Sequence, residues 1–289
     1  MISNTSPMMN RPRTMGPTRA IATFDHADIY GGTPHACETR FRDALRLSDT
    51  ERAEIILQTK CGIVPGNPGY YDLSYEHIVS SVHASLEALG TDYIDVLLLH
   101  RPDALADGEE VARAVAELTD AGKVRSVGVS NHTPGQIEYL ARYLDQPIVA
   151  NQLQLSLTHA PIIAQPIAAN TPGTDQSIVR DGGVLDYCRT ANIRVQAWSP
   201  LQAGRSPGTF FNPETYPELV STVDRLARRY GVAPEAIATA WITRHPADIQ
   251  VVLGTTNPTR LRACAAGADI TLTRPEWYEL FAAAGHLIP

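Results

Sequence analysis

Asp25, Tyr30, Lys60 and His100 are the residues of this chain whose side-chain chemistries combine most readily. Each follows or ends a β-rich apolar run. The first run closes in Phe24-Asp25-His26-Ala27-Asp28-Ile29-Tyr30-Gly31, the second in Gln58-Thr59-Lys60, and the third in Leu99-His100-Arg101-Pro102-Asp103. A phenol on its own is a poor acid near neutral pH. An ammonium beside it stabilises the phenolate, and a carboxylate beside the ammonium keeps that charge in place. An imidazole next to the phenol can orient a carbonyl oxygen and share its developing charge. Together the four could let Tyr30 protonate a carbonyl oxygen while a hydride reaches the carbon. Taken singly, each has a plainer role. Asp25 could cap a helix, Lys60 could lie on the surface, Tyr30 could pack in a turn before two glycines, and His100 could be a satisfied buried histidine. Their delivery by three consecutive strand ends is the argument for a joint role.

Strand candidates recur along the chain at 20–25, 54–59, 94–100, 124–129, 148–151, 193–197 and 249–253. Several are nearly continuous apolar runs, as expected of parallel strands covered on both faces. Helical periodicity lies between them. Residues 75–89 put Ile78, Val82, Leu86 and Leu89 on one face, and 109–121 do the same with Val111, Ala114, Val115 and Leu118 before a stop at Gly122. Thr133-Pro134 opens another helix as cap and first position. Repeated βα units without a change of composition predict one α/β domain over 1–289, a TIM-type (β/α)8 barrel, with 1–19 as an irregular lead-in. A doubly wound sheet would need a glycine-rich phosphate turn after its first strand, and no G-x-G-x-x-G or P-loop occurs. Seven strand candidates fall one short of eight, so either an eighth strand hides in weak sequence signal or the barrel is incomplete, with its first strand and helix missing. Such a barrel has two unpaired edges at which copies could associate.

The 24 basic and 31 acidic residues give a net charge of −7, with no cationic block, which argues against nucleic acid or an anionic membrane as partner. No apolar run approaches the roughly 20 residues of a membrane span, and the first 18 residues lack the apolar stretch of a signal peptide. Cys37, Cys61, Cys188 and Cys264 are widely and irregularly spaced, which fits reduced thiols in a cytoplasmic protein better than a disulfide framework or a zinc site. No spacing suggests any other metal site.

The string Phe24-Asp25-His26-Ala27-Asp28-Ile29-Tyr30-Gly31 resembles the aldo-keto reductase signature around the catalytic Asp and Tyr. Lys60, and Asp92-Tyr93-Ile94-Asp95-Val96-Leu97-Leu98-Leu99-His100, match the other two members of that family's tetrad. Gly122-Lys123-Val124-Arg125-Ser126-Val127-Gly128-Val129-Ser130-Asn131 is similar to a further family signature, and the likeness runs from about residue 20 to the end. The resemblance implies an oxidoreductase that transfers hydride between NADPH and an aldehyde or ketone. It implies that Ser130, Asn131 and Gln152 hold the nicotinamide carboxamide and that Trp198 stacks on the ring. Ser199 and Leu201 fall where the family's loop wraps the pyrophosphate. Gly254 and Thr255, followed by Arg260, resemble the adenosine-phosphate site, where Arg260 would pair with a 2′-phosphate.

The chain also departs from that pattern. Gly254 stands where the family has a basic residue, and Ala263-Cys264 replace a polar pair. Residues 9–18 look like the family's opening segment, without the strand and helix that should follow. The long segments 155–180 and 204–217 read as candidate lids or variable surface. His26 is a candidate substrate contact, and His132 reads as a solvated loop residue. Two alternatives stand beside carbonyl reduction: a non-redox biosynthetic step such as cyclisation, dehydration or isomerisation on the same barrel, and a cofactor-binding regulatory subunit.

Overall fold

The computed structural model describes residues 22–204 and 208–289. The opening segment, the whole lead-in and the start of the first strand candidate therefore lie outside the described residues. Among the described residues the apolar runs form one seven-stranded parallel sheet: β1 (Thr23–Asp25), β2 (Ile56–Cys61), β5 (Val96–Leu99), β6 (Val127–Ser130), β7 (Ile148–Gln154), β8 (Arg194–Trp198) and β9 (Gln250–Val251). A two-stranded hairpin, β3 (Ile63–Val64) with β4 (Tyr70–Tyr71), follows β2. The sheet order repeats the chain order without a reversal, which is the winding of a barrel and not of a doubly wound sheet.

The connections are helical. They comprise α1 (Ala36–Leu45), α2 (Asp49–Glu54), α3 (Tyr75–Leu89), α4 (Gly108–Asp120), α5 (Pro134–Ala141), α6 (Pro161–Ile167), α7 (Val184–Thr190), α8 (Pro217–Tyr230), α9 (Pro234–Thr243), α10 (Pro258–Ala266) and α11 (Arg274–Ala283). The helix expected at 75–89 is found with those bounds, between the Ser74 cap and a left-handed Gly90. Strand limits differ from the sequence reading by a few residues because pairing, not hydrophobicity, ends a strand.

Each strand sends alternate side chains to the two faces of the sheet. Leu97, Leu99, Val127, Val129, Val195 and Ala197 face outward and pack with Ile78, Val82, Val111, Val115, Val223 and Trp241 from the helices. Burial of each large side chain there contributes roughly 1.5–3 kcal/mol. The other parity faces the barrel interior, where Val96, Leu98 and Ala150 make only a small apolar cluster. Gly128 belongs to this parity. A Cβ there would lie 2.6 Å from Leu98 Cδ2 and 2.9 Å from the Ala150 carbonyl, so the inner face of β6 has no room for a side chain at that level. Many of the other positions of this parity are polar, among them Asp25, Gln58, Lys60, Gln152, Gln196 and Gln250, alongside Ile56 and Trp198. β1 and β9 end the sheet and are not paired with each other among the described residues, although Gln250 Nε2 reaches Thr23 Oγ1 at 3.5 Å.

The two segments read as candidate lids or variable surface are anchored in the core at points, with much of 169–180 and 212–217 exposed. Residues 155–180 contain α6, whose Ile162 and Ile163 are buried, and the Leu157 carbonyl bonds the His286 ring at 2.7 Å. In the described part of 204–217, Phe210 is fully buried in the core. Loop composition misled here because prolines also begin helices, as Pro161 and Pro217 do.

Candidate active site

The C-terminal ends of the first three parallel strands bring the four expected residues together. The backbone after β1 keeps following β2, with His26 N donating to Gln58 O and Asp28 N to Lys60 O, so Tyr30 is carried alongside Lys60. His100 N donates to Cys61 O, which sets the histidine on the other side of β2. Lys60 is completely buried. Its ammonium donates to Asp25 Oδ2 at 2.6 Å and to the His26 carbonyl at 2.8 Å, and lies 5.0 Å from the centre of the Tyr30 ring. The Tyr30 and His100 rings stand edge to face, 5.8 Å apart. Tyr30 is 36% exposed, whereas Lys60 and His100 are buried, so the phenol is the member of the group that solvent-borne molecules reach first. Gly31, just after Tyr30, has φ of +107°, and a Cβ there would come within 2.9 Å of Ala36 Cβ. The turn that presents Tyr30 therefore requires glycine.

Burial, reinforced by the Lys60 and Arg101 charges, pushes the His100 imidazole down to about 3. His100 is thus neutral at physiological pH. Among the described residues its buried Nδ1 has no partner, and neither do the buried His26 Nε2 and Asp28 Oδ1. Orphaned buried polar atoms are uncommon and tend to mark functional sites.

The sequence reading missed a second carboxylate layer behind Tyr30. Glu38, in the first turn of α1, is fully buried. It accepts from Thr59 Oγ1 at 2.5 Å and Ser85 Oγ at 3.2 Å, and pairs with His35 Nδ1 at 2.6 Å. It thereby ties the Tyr30 loop to β2 and α3. Burial, with the Glu38 charge in second place, raises the Asp28 carboxyl from 3.8 to about 7. Between those two pH values the folded protein holds a proton that the unfolded chain has released, so stability falls as pH rises through that window, and the cost is fully present above about 7. Asp28→Asn should therefore gain on the wild type by about 2–3 kcal/mol between pH 5 and pH 8. Urea unfolding of both proteins at the two pH values checks this, and a pH-independent difference would refute it.

The residues that the resemblance assigned to a dinucleotide fall at the ends of the next strands. Ser130 is buried and donates to the Gln152 carbonyl at 2.9 Å. Asn131, in the left-handed region at φ +61°, donates from Nδ2 to Ser130 Oγ at 2.8 Å and accepts from the Trp198 indole N–H at 3.2 Å. Ser130, Asn131 and Trp198 thus form one connected group across β6 and β8. Gln152 points its Nε2 inward to Asp25 Oδ1 at 2.9 Å, leaving Oε1 as the end it can offer a ligand. Ser199 follows with φ +52°, and Leu201 is buried. Gly254 is exposed, with open space around it, and Thr255 Oγ1 accepts from Asn257 N at 3.2 Å. Asn257 caps α10 by accepting from Thr259 N and Arg260 N, and Arg260 is exposed on the first turn. His132 overturns its reading as a solvated loop residue. It is buried, its Nδ1 lies 2.9 Å from the Ser130 carbonyl, and burial lowers its pKa to about 4. Gln58 and Gln196 were also missed, although their spacing of two from Lys60 and Trp198 marks them as inward-facing. Among the described residues all four cysteines are free thiols, and no helix is long and apolar enough to cross a membrane.

The profile described as "Aldo/keto reductase family" matches residues 17–284. A 6-dehydroglucose reductase of Agrobacterium fabrum is 36% identical over 273 residues, covering 92% of this chain and 84% of the relative. The oxidoreductase YdhF of Escherichia coli is 33% identical over 276 residues, covering 93% and 85% respectively. Among solved structures, a thermostable aldo-keto reductase crystallised with the inhibitor epalrestat superposes with a TM-score of 0.69 at 24% identity, covering 90% of this chain and 81% of that one.

Proposed function

Because the chain belongs to the aldo-keto reductase family of NAD(P)H-dependent oxidoreductases, we propose that it reduces an aldehyde or ketone with NADPH, using Tyr30, Lys60, Asp25 and His100. The observation that carries the reading is the buried Lys60–Asp25 pair beside a part-exposed phenol and a neutral imidazole, all at strand C-termini. When bound, NADPH supplies the hydride. The protein's own residues do the rest. Neutral His100 orients the carbonyl oxygen, Tyr30 gives that oxygen its proton, and the Lys60 charge stabilises the phenolate left behind. Asp25 keeps the ammonium in place. The product is the alcohol, and Tyr30 regains its proton from solvent.

The residues at the ends of β6, β7 and β8 fit a nicotinamide. They present a donor-and-acceptor group, Ser130, Asn131 and Gln152 Oε1, next to the half-exposed indole of Trp198, and His100 Nδ1 is unmatched close by. Ser199 and Leu201 would border the pyrophosphate, with Gly254, Thr255 and Arg260 at the adenosine end. The exposed Arg260 guanidinium is the group suited to a 2′-phosphate.

A titration with NADPH, read by tryptophan fluorescence, tests the reading. Trp241 and Trp277 are stacked on each other in the core, 5.0 Å apart, so a saturable change lost in Trp198→Phe reports this site. A folded protein with no such change would refute the cofactor assignment. Arg260→Ala should weaken NADPH binding about 10–100-fold and leave NADH binding nearly unchanged, the difference expected for a charge-assisted contact. Equal losses for both cofactors would remove Arg260 from the phosphate site. The substrate screen should begin with 6-aldehyde sugars, the class named for the Agrobacterium relative.

A further inference from the structure

The interior of a parallel barrel is ordinarily filled with branched apolar side chains. Here four strands instead send glutamines inward: Gln58 from β2, Gln152 from β7, Gln196 from β8 and Gln250 from β9. In register, Gln152 lies opposite Gln196 and Gln196 opposite Gln250, while Gln58 lies opposite Asp25. Gln58, Gln152 and Gln196 are all buried. An amide left unpaired in such a place is costly, so the direction of each one matters.

That direction follows from a single charge. A carboxylate only accepts hydrogen bonds. Gln58 and Gln152 both approach Asp25 Oδ1, so each must turn its NH2 end to it. The same two nitrogens each lie 3.0 Å from Gln196 Oε1, so Gln196 must turn its oxygen toward them. Gln196 Nε2 is then left facing Gln58 Oε1 at 3.0 Å and Gln250 Oε1 at 3.1 Å, which is donor to acceptor in both cases. Gln250 passes its own NH2 to Thr23 Oγ1 at 3.5 Å, on β1 and two residues before Asp25. The chain of amides therefore leaves Asp25 and returns to the same strand.

We propose that Gln196, whose hydrogen bonds go to Gln58, Gln152 and Gln250 and not to Asp25 or Lys60, is a positioning residue for both through this amide lattice. Its oxygen holds the Gln58 and Gln152 amides so that both donate to Asp25 Oδ1. That reserves Oδ2 for the Lys60 ammonium and fixes where the charge beside Tyr30 sits. It also holds Gln152 with Oε1 outward, as the acceptor end presented at the strand termini. The inference rests on the reductase reading for its effect on turnover, but the lattice itself can be measured without turnover.

The test uses Gln196→Met, which keeps length and approximate volume and removes both hydrogen-bonding atoms, together with Gln58→Met and the double variant, all in the full chain. Loosening a catalytic group by about an ångström can cost on the order of 100-fold, so kcat should fall about 10–100-fold in Gln196→Met. KM for the carbonyl should stay within about threefold. Because both residues act on the same carboxylate, the double variant should be little worse than the worse single variant. In 15N-glutamine-labelled protein, the Gln152 side-chain amide should exchange slowly in the wild type and faster in Gln196→Met. A residue that merely fills space would lower stability and leave kcat and the coupling untouched. Wild-type kcat in a folded Gln196→Met, or losses that multiply in the double variant, would overturn the proposal. So would fast exchange of the Gln152 amide in the wild type, which needs no variant to fold. A wild type with a protected Gln152 amide and no turnover of any carbonyl counts against the reductase reading and for the lattice.

Discussion

Tyr30→Phe should lower kcat by about 10²–10⁴-fold, the span associated with loss of a positioned general acid, while NADPH affinity stays within about twofold of wild type. The split follows from where the ring and the hydroxyl sit. The Tyr30 ring is braced by His100 at 5.8 Å and faced by the Lys60 ammonium at 5.0 Å, contacts that phenylalanine keeps. Only the acidic O–H is lost, and the candidate nicotinamide group of Ser130, Asn131 and Trp198 lies on other strands. His100 cannot replace the acid, because burial and the Lys60 and Arg101 charges hold it neutral down to about pH 3. Single-turnover kinetics with saturating NADPH, alongside a fluorescence titration, separates the two quantities. Turnover near the wild-type rate would remove Tyr30 from the chemistry. A proportional loss of cofactor affinity would make it a binding residue instead. A cyclisation, dehydration or isomerisation on the same barrel predicts product without net oxidation of NADPH. A regulatory subunit predicts cofactor binding that Tyr30→Phe leaves unchanged, with little turnover in either form.

The grouping of Asp25, Tyr30, Lys60 and His100 was legible because they lie within short strings at strand ends, where local order fixes spatial order. Asp25 and Tyr30 are separated by only four residues, and parallel pairing of β1 with β2 and of β2 with β5 does the rest. The winding of the sheet was legible for a similar reason: repeated βα units without a nucleotide-binding glycine turn leave the barrel as the natural parallel arrangement. Glu38 was not legible. Its three partners come from the Tyr30 loop, β2 and α3, and an acidic residue in the first turn of a helix looks from sequence like a favourable surface charge. His132 was misread because a polar neighbour, Asn131, suggested solvent, whereas the backbone after β6 folds the ring back to the Ser130 carbonyl. The glutamine lattice sits between these cases. Alternation along β2 and β8 puts Gln58 with Lys60 and Gln196 with Trp198, but only the curvature of the folded sheet shows that the four amides meet. The span 155–180 shows the limit of compositional reading, since its Ile162 and Ile163 are core residues in a helix that a proline begins.

Removing Asp25 should destabilise the fold more than removing Lys60. Breaking a buried ion pair by deleting one partner typically costs about 3–5 kcal/mol, because the other charge stays buried and unpaired. The two deletions differ in what they strand. Lys60→Met leaves Asp25 Oδ1 still accepting from Gln58 and Gln152, so the carboxylate keeps two donors. Asp25→Leu leaves a fully buried ammonium whose remaining acceptor is the neutral His26 carbonyl at 2.8 Å. It also strips an acceptor from both amides, and each buried polar group left unsatisfied adds about 1–3 kcal/mol. Urea unfolding at pH 7 should therefore show Asp25→Leu near or beyond the upper end of that range, and Lys60→Met lower by at least about 1 kcal/mol. Asp25→Asn, which keeps an oxygen but not the charge, should fall between the wild type and Asp25→Leu. The reverse order, with Lys60→Met the more damaging, would mean that the amides do not support the carboxylate, and the hydrogen bonds around Asp25 would have to be reassigned.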